Sequence, residues 1–311
     1  MRALVISGGG SKGAFAGGIA EYLINECRNH YDLFLGTSTG SLLVPLLSIG
    51  EISKLKSIYT SVNQKSIFNR NPFIIKKKEE EFEIKINHFN ILLGFLQGSK
   101  TFGESKALRR LIFDTITPKR FEEMQQQSKD VIITVSNISL GSVEYKSVKD
   151  YEREEFCEWI WASANVIPFM SLFTKNNFDY GDGGLGNVVP IAEAINRGAS
   201  EVDVIVLKAE NLAQKQPVKN VLDLTTRVFD FLLDQIIHND ITIGELRSKY
   251  EQVRLNFYHP PEMLTKNSLI FDSKLMTEWW QMGFDYAKAN APYCHRIQTK
   301  KFKKGNSIHL S

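Results

Sequence analysis

One serine of the sequence lies between two glycines in a pattern that is typical of a catalytic nucleophile. Ser38 is the centre of Gly36-Thr37-Ser38-Thr39-Gly40, which fits the pattern G-x-S-x-G. In that pattern a sharp turn from a strand into a helix projects the serine hydroxyl into a cleft, and the flanking glycines leave room for neighbouring backbone. The N-terminus of the following helix favours the negative charge that develops during acyl transfer. The spacing therefore predicts a nucleophile at Ser38.

A glycine-rich loop, Gly8-Gly9-Gly10-Ser11-Lys12-Gly13, precedes this serine and matches G-x-G-x-x-G. Dinucleotide-binding folds use that pattern to hold a pyrophosphate, but they also need an acidic residue at the end of the second strand. This chain has Leu35 and Gly36 at that place. Consecutive glycine N–H groups can instead form an oxyanion hole. We expect the loop to do so, with Gly9 and Gly10 as donors and Lys12 in an exposed turn.

The base that would activate Ser38 is better sought among the carboxylates than among the histidines. None of the six histidines follows a strand in a turn: His30, His88, His238, His259, His295 and His309. Asp182 does, within Tyr180-Gly181-Asp182-Gly183-Gly184. Glycine neighbours let a carboxylate be approached closely by other backbone. A tight Asp-Gly turn without a catalytic role is the alternative.

The elements that must position these residues alternate between strand and helix. Residues 3–7 and 32–35 are predicted strands, each followed by a glycine-containing turn and then by a helical pattern. Further buried strands are predicted at residues 131–135 and 202–207, a hairpin strand at 143–148, and an apolar helix at 218–238. This rhythm is typical of an α/β protein with a mostly parallel sheet.

Two segments depart from this rhythm. Residues 60–105 contain the charge run of residues 76–81 and an apolar stretch, Ile91 to Leu96, which is either a core helix or a mobile flap over a lipid-binding cleft. The chain beyond Asp285 has no acidic residue and carries +6, so the first 285 residues sum to −3. We therefore expect one domain, 1–290, with 60–105 as an insertion or flap and 291–311 as a basic tail. Such a tail would attract anionic lipid surfaces and make peripheral membrane contact.

The composition excludes several protein classes. The 311 residues are 43% hydrophobic and 23% charged, with a net charge of +3. These values exclude a disordered or fibrous chain and do not indicate a nucleic-acid binder. The three cysteines are far apart and lack metal-ligand spacing, so we expect no disulfide scaffold and no zinc site. With no signal peptide or membrane span in the sequence, the expected location is cytoplasmic.

The three motifs together resemble the patatin-like phospholipases. That family pairs a G-G-G-x-[K/R]-G loop with G-x-S-x-G and D-G-[G/A], in the order seen here at Gly8–Gly13, Gly36–Gly40 and Asp182–Gly184. Asn187 and Pro190 are similar to the family's downstream pattern, and residues 163–168 match another of its segments loosely. The resemblance covers about residues 1–210.

The resemblance implies a three-layer α/β/α sandwich around a mostly parallel sheet. It also implies hydrolysis of lipid acyl esters by a Ser38–Asp182 dyad, with the glycine loop as oxyanion hole and without a metal or cofactor. Three alternatives remain open from the sequence, and one of them is a pseudoenzyme that serves as a scaffold. An acyltransferase would use the same acyl-serine, although such enzymes favour a histidine where this chain has Thr37. A nucleotide-binding module would use Gly8–Gly13 without catalysis.

Overall fold

The computed structural model describes residues 1–78, 81–209, 217–218 and 221–291. The strands in chain order are β1 (Arg2–Ile6), β2 (Leu33–Thr37), β3 (Phe73–Lys78), β4 (Glu81–Ile86), β5 (Asp130–Asn137), β6 (Ser142–Ser147), β7 (Phe173–Lys175), β8 (Phe178–Asp182), β9 (Glu201–Ile205) and β10 (Arg254–Tyr258). The helices are α1 (Gly13–Glu21), α2 (Thr39–Ser48), α3 (Ile52–Ser61), α4 (Gln64–Ile67), α5 (His88–Leu96), α6 (Lys106–Thr115), α7 (Pro118–Gln126), α8 (Arg153–Ser163), α9 (Ile191–Asn196), α10 (Val221–Glu251) and α11 (Ser273–Asn290).

The main sheet is mostly parallel, as the alternation of strands and helices predicts. Among the described residues its order is β10-β9-β1-β2-β5-β8-β7, with β6 also paired to β5. The strands from β10 to β5 are parallel, whereas β6, β7 and β8 are antiparallel to their partners. Parallel strands end at one common edge, and β1 and β2 both end there, so the turns that follow them lie side by side.

Helices cover both faces of this sheet and make three layers. Along β1, Leu4 and Ile6 point into one apolar core with helices such as α1, α2 and α8. Ala3 and Val5 point into a second core on the opposite face, with α9 and α10. A parallel strand covered on both faces is apolar at consecutive positions, which explains the unbroken Ala3 to Ile6 run. The predicted α/β/α sandwich is therefore confirmed.

The segment at 60–105 contributes a second, two-stranded sheet, although its first residues, such as Ile67 and Phe68, pack into the main core. Strands β3 and β4 form an antiparallel hairpin, and α5 follows directly. Within α5 only Gly94 is buried, while Phe89 is 74% and Leu96 is 78% exposed. The core-helix interpretation of this stretch is therefore wrong, and the flap interpretation stays a prediction.

Three other predictions from the sequence have different outcomes. The apolar helix predicted at 218–238 continues to Glu251 as α10, since no proline or glycine pair interrupts its pattern. Cys157 is a free, buried thiol, but Cys27 is disulfide-bonded, contrary to the expectation from cysteine spacing. The predicted tail at 291–311 lies outside the described residues except for Ala291.

Candidate active site

Ser38 occupies a strained turn between β2 and α2. Its backbone has φ 54° and ψ −118°, a combination that non-glycine residues adopt only when the surrounding structure enforces it. Gly36 and Gly40 make the turn possible. A Cβ atom on Gly36 would lie 2.4 Å from the carbonyl carbon of Gly40, and one on Gly40 would lie 2.1 Å from the carbonyl oxygen of Ile6. Both glycines of the motif are thus required by close backbone packing.

Asp182 lies beside Ser38. The Ser38 hydroxyl donates a hydrogen bond of 2.6 Å to Oδ2 of Asp182. Oδ1 of the same carboxylate accepts a 2.7 Å bond from the N–H of Gly184. Ser38 and Asp182 are only 7% and 6% exposed. A backbone N–H group therefore holds one oxygen of the carboxylate, and the other oxygen accepts the hydrogen bond from the serine hydroxyl.

Strand pairing along β5 explains how these two residues meet. Thr37, the last residue of β2, pairs with Thr134, and Asp182, the last residue of β8, pairs with Val135. The next position along β5 after the end of β2 is thus taken by Asp182. A Cβ atom on Gly183 would lie 2.3 Å from the carbonyl oxygen of Thr134, so glycine is needed directly after the aspartate.

Burial raises the pKa of Asp182 to about 6, against the opposing effect of the hydrogen bonds from Ser38 and Gly184. Desolvation disfavours the charged form of a carboxyl group, and those hydrogen bonds favour it. A base with a pKa near the working pH combines the correct protonation state with sufficient driving force for proton transfer. The site therefore supplies a carboxylate with the basicity of an imidazole.

Ser163, at the end of α8, fixes the backbone of the turn. Its hydroxyl accepts a 3.0 Å bond from the N–H of Ser38 and donates a 2.6 Å bond to the carbonyl of Thr134. One buried hydroxyl therefore joins the serine turn to β5. The sequence placed Ser163 only within a loosely matching segment and gave it no role.

The glycine loop packs against this turn, and its hydrogen bonds determine which N–H groups remain available. The Thr39 hydroxyl donates to the carbonyl of Gly10 at 2.7 Å. The N–H groups of Gly8, Ser11, Lys12 and Gly13 all bond to carbonyl oxygens within the protein. Within the described part of the chain, the N–H groups of Gly9 and Gly10 have no such acceptor.

The sequence indicated an exposed turn at Lys12, but this residue is half-buried and its side chain is anchored to a neighbouring segment. Its ammonium donates a 2.6 Å bond to the carbonyl of Leu207. Burial lowers the pKa of Lys12 to about 8, although the nearby carboxylates of Asp230 and Asp234 act in the opposite direction. Its ammonium group therefore fastens the loop to the segment that follows β9.

Asp240 of α10 is a buried carboxylate that sequence inspection missed. It is 8% exposed and accepts bonds from the N–H groups of Val188 and Val189 at 2.7 and 2.9 Å, and from the Asn187 amide at 3.1 Å. Val188 in turn accepts from the N–H of Gly8 at 3.3 Å. Burial raises the pKa of Asp240 to about 6. This carboxylate thus connects α10 to the glycine loop through Val188. Its bonding partners are 51 to 53 residues away in the sequence, and no local pattern indicates the contact.

The described histidines take no part in this arrangement. His30, His88 and His238 are exposed, and Nδ1 of His259 lies 3.1 Å from the carbonyl of Lys208. His295 and His309 fall outside the described residues. The described residues also contain no group of His, Cys, Asp and Glu side chains suited to a metal ion. No helix in that part of the chain is long and apolar enough to cross a membrane.

Comparison with known proteins gives one family match and one similar solved structure. The family model described as patatin-like phospholipase matches residues 4–195. Among solved structures, the chain is similar to VipD from Legionella pneumophila, with a TM-score of 0.48 and 11% sequence identity, over 95% of this chain and 67% of that one. No curated protein matches the chain.

Proposed function

Because the chain belongs to the patatin-like phospholipase family, we propose that it hydrolyses carboxylic esters of lipids with Ser38 as nucleophile and Asp182 as general base. The observation that carries this proposal is the 2.6 Å hydrogen bond from the Ser38 hydroxyl to Asp182 Oδ2. A serine hydroxyl is a weak nucleophile without an adjacent base. The dyad provides that base in the ground state, without a histidine.

The reaction proceeds in two steps at these atoms. In the first, Ser38 Oγ attacks the ester carbonyl carbon while its proton moves to Asp182 Oδ2, and the tetrahedral intermediate collapses as that proton passes to the departing alcohol. The product of this step is an acyl-serine. In the second, Asp182 takes a proton from the water molecule that attacks the acyl carbon. The tetrahedral intermediate then collapses, the fatty acid leaves, and the proton passes from Asp182 to Ser38 Oγ, so that both residues are restored.

Gly9 and Gly10 are proposed as the oxyanion hole. Their N–H groups lie in the loop that touches the serine turn, and they lack acceptors within the described residues. Donors fixed in advance at the developing oxyanion contribute strongly, because removal of one typically lowers turnover about 100- to 1,000-fold. Gly8, Ser11, Lys12 and Gly13 support the loop in this scheme, since their N–H groups bond elsewhere.

The nucleotide-binding alternative is less well supported by the same hydrogen bonds. A phosphate site needs several free N–H groups that converge at a helix N-terminus. Here the N–H groups of Ser11, Lys12 and Gly13 are bonded to carbonyl oxygens, and the Lys12 ammonium is bonded to Leu207. Two adjacent free N–H groups suit a single oxyanion better than a pyrophosphate.

A product analysis tests the proposal. The protein is incubated with a mixed lipid extract, and free fatty acids and deacylated lipids are measured by mass spectrometry. We expect fatty acid release by the wild-type protein and by Ser57→Ala, a matched change at an exposed serine of α3, but none by Ser38→Ala. A fluorophosphonate probe should label Ser38 in the first two proteins only. Equal release by Ser38→Ala would contradict the proposal.

A further inference from the structure

A set of exposed apolar side chains, here called the apolar rim, lies on two helices. Each of its members is more than a third exposed, and several are more than half exposed. Its members are Phe89, Leu92, Leu93, Phe95 and Leu96 of α5, and Val221, Leu224, Val228, Phe231 and Leu232 of α10. A folded chain gains nothing from a contiguous apolar surface in water, so such a surface usually marks a binding face.

A row of aromatic rings joins the two helices. The centroid of Phe95 on α5 lies 6.2 Å from that of Phe102, which lies 6.0 Å from Phe169. Phe169 lies 6.0 Å from Phe229 on α10. The two halves of the apolar rim are therefore linked by a row of packed, partly buried rings.

This surface borders the dyad. One turn along α10 from Phe229, the Cδ2 atom of Leu233 lies 3.8 Å from the position that a Cβ atom on Gly184 would occupy. The N–H of Gly184 binds the Asp182 carboxylate. The apolar rim thus adjoins the edge of the sheet at which Ser38 lies. The other end of α10 leads into β10, whose first residue is at the opposite edge.

The chemistry of α5 indicates what covers this surface. At 100° per residue its five exposed apolar side chains span roughly 160° of the helix circumference. No Asp, Glu, Lys or Arg occurs from Ile86 to Ser99. A protein partner normally meets an apolar centre with a surrounding polar border. A short helix that is apolar over nearly half its surface, with no charged residue, suits immersion in a hydrocarbon medium.

We propose that the apolar rim inserts into the acyl-chain layer of a lipid bilayer and so holds the Ser38–Asp182 site against the membrane surface. The inference rests on the proposed function, because an enzyme of this kind must reach ester bonds near the boundary between head groups and chains. Insertion by apolar contact is distinct from electrostatic attraction of the basic tail, since only the latter weakens strongly with salt.

Vesicle flotation separates this proposal from the catalytic one. All variants are made in the Ser38→Ala background, so that hydrolysis cannot alter the vesicles, and are floated with neutral phosphatidylcholine vesicles at 0.5 M salt. Leu92→Asp on α5 and Phe231→Asp on α10 should each lower the bound fraction at least about tenfold, because a charge replaces apolar area that the bilayer would bury. The matched control is Leu246→Asp, which is 62% exposed on α10 but about 22 Å from Phe231; its binding should equal that of Ser38→Ala.

The same substitutions in the active protein provide the second measurement. Hydrolysis of a soluble short-chain ester should be unchanged by Leu92→Asp and Phe231→Asp, whereas hydrolysis of vesicle lipid should fall with binding. Three results would overturn the proposal. They are equal vesicle binding by all variants, binding only to anionic vesicles at low salt, and a dimer that dissociates when Leu92 is replaced by Asp. If the protein without these substitutions binds vesicles but has no esterase activity, that result would contradict the proposed function and still support membrane binding by the apolar rim.

Discussion

Ser38 and Asp182 are 144 residues apart in the chain but meet beside one strand, β5, where Thr37 and Asp182 pair with consecutive residues. β2 pairs with β5 as far as Thr37, and the chain turns away from β5 at Ser38. β8 pairs with the next residue of β5 through its own last residue, Asp182. The proposed dyad is therefore built by two strand ends that share a neighbour, and its geometry depends on the register of β5 with both.

The buried carboxylate predicts an unusual pH dependence of stability. The pKa of Asp182 is about 6 in the folded protein and near 4 in an unfolded chain. The folded state therefore binds more protons between pH 4 and 6, and its stability falls as pH rises through that window. Asp182→Asn should raise the free energy of unfolding on the order of 2–3 kcal/mol at pH 8 and hardly at all below pH 4. Chemical denaturation at both pH values measures this, and an equal effect at both would contradict it.

The same pKa predicts the pH dependence of activity. With Asp182 as the base, kcat/KM for a soluble ester should increase with pH through a single ionisation near pH 6 and remain level above it, because only the carboxylate accepts the serine proton. His259→Ala should leave this profile unchanged. A profile that loses its acid limb in a histidine variant would instead identify an imidazole base.

The role of the glycine loop is tested with one pair of glycines. Gly10 has φ 58°, and a Cβ atom there would lie 2.2 Å from the carbonyl oxygen of Ser268. Gly141 has φ 63° but open space around it. Gly10→Ala should displace the loop and lower kcat at least about 100-fold. Gly141→Ala should lower stability only through its unfavourable positive φ and leave kcat unchanged. Comparable kcat values for the two variants would argue against an oxyanion hole here.

Asp240 is expected to act on the site through the glycine loop. Asp240→Ala leaves the N–H groups of Val188 and Val189 without their acceptor and releases the segment that holds Gly8. We expect kcat to fall about tenfold with KM nearly unchanged, along with a loss of stability on the order of 2 kcal/mol. The control is Asp285→Ala, at an exposed carboxylate of α11 that accepts a hydrogen bond from Gln281 of the same helix. A change confined to thermal stability would show that Asp240 is structural only.

Local patterns predicted much of this molecule. The turn at Ser38 follows from small residues at a junction of strand and helix, and the apolar run of β1 follows from burial on two faces. The contacts of Lys12, Ser163 and Asp240 depend on which elements meet across the sheet. No spacing along the chain records such meetings. The sequence left open whether α5 is a core helix or a flap, because an apolar run has the same sequence in a core as on an exposed surface.

The interdependence of Ser38 and Asp182 is the most direct test of the account. Steady-state kinetics on a soluble ester should be measured for Ser38→Ala, Asp182→Asn and the double variant, beside the six single histidine variants. Residues that act as one catalytic unit are non-additive. We predict that each single dyad variant loses nearly all activity, that the double variant is little worse, and that every histidine variant stays within about tenfold, below the typical contribution of a general base. Near-normal activity of Asp182→Asn, together with a large loss in a histidine variant, would contradict the dyad.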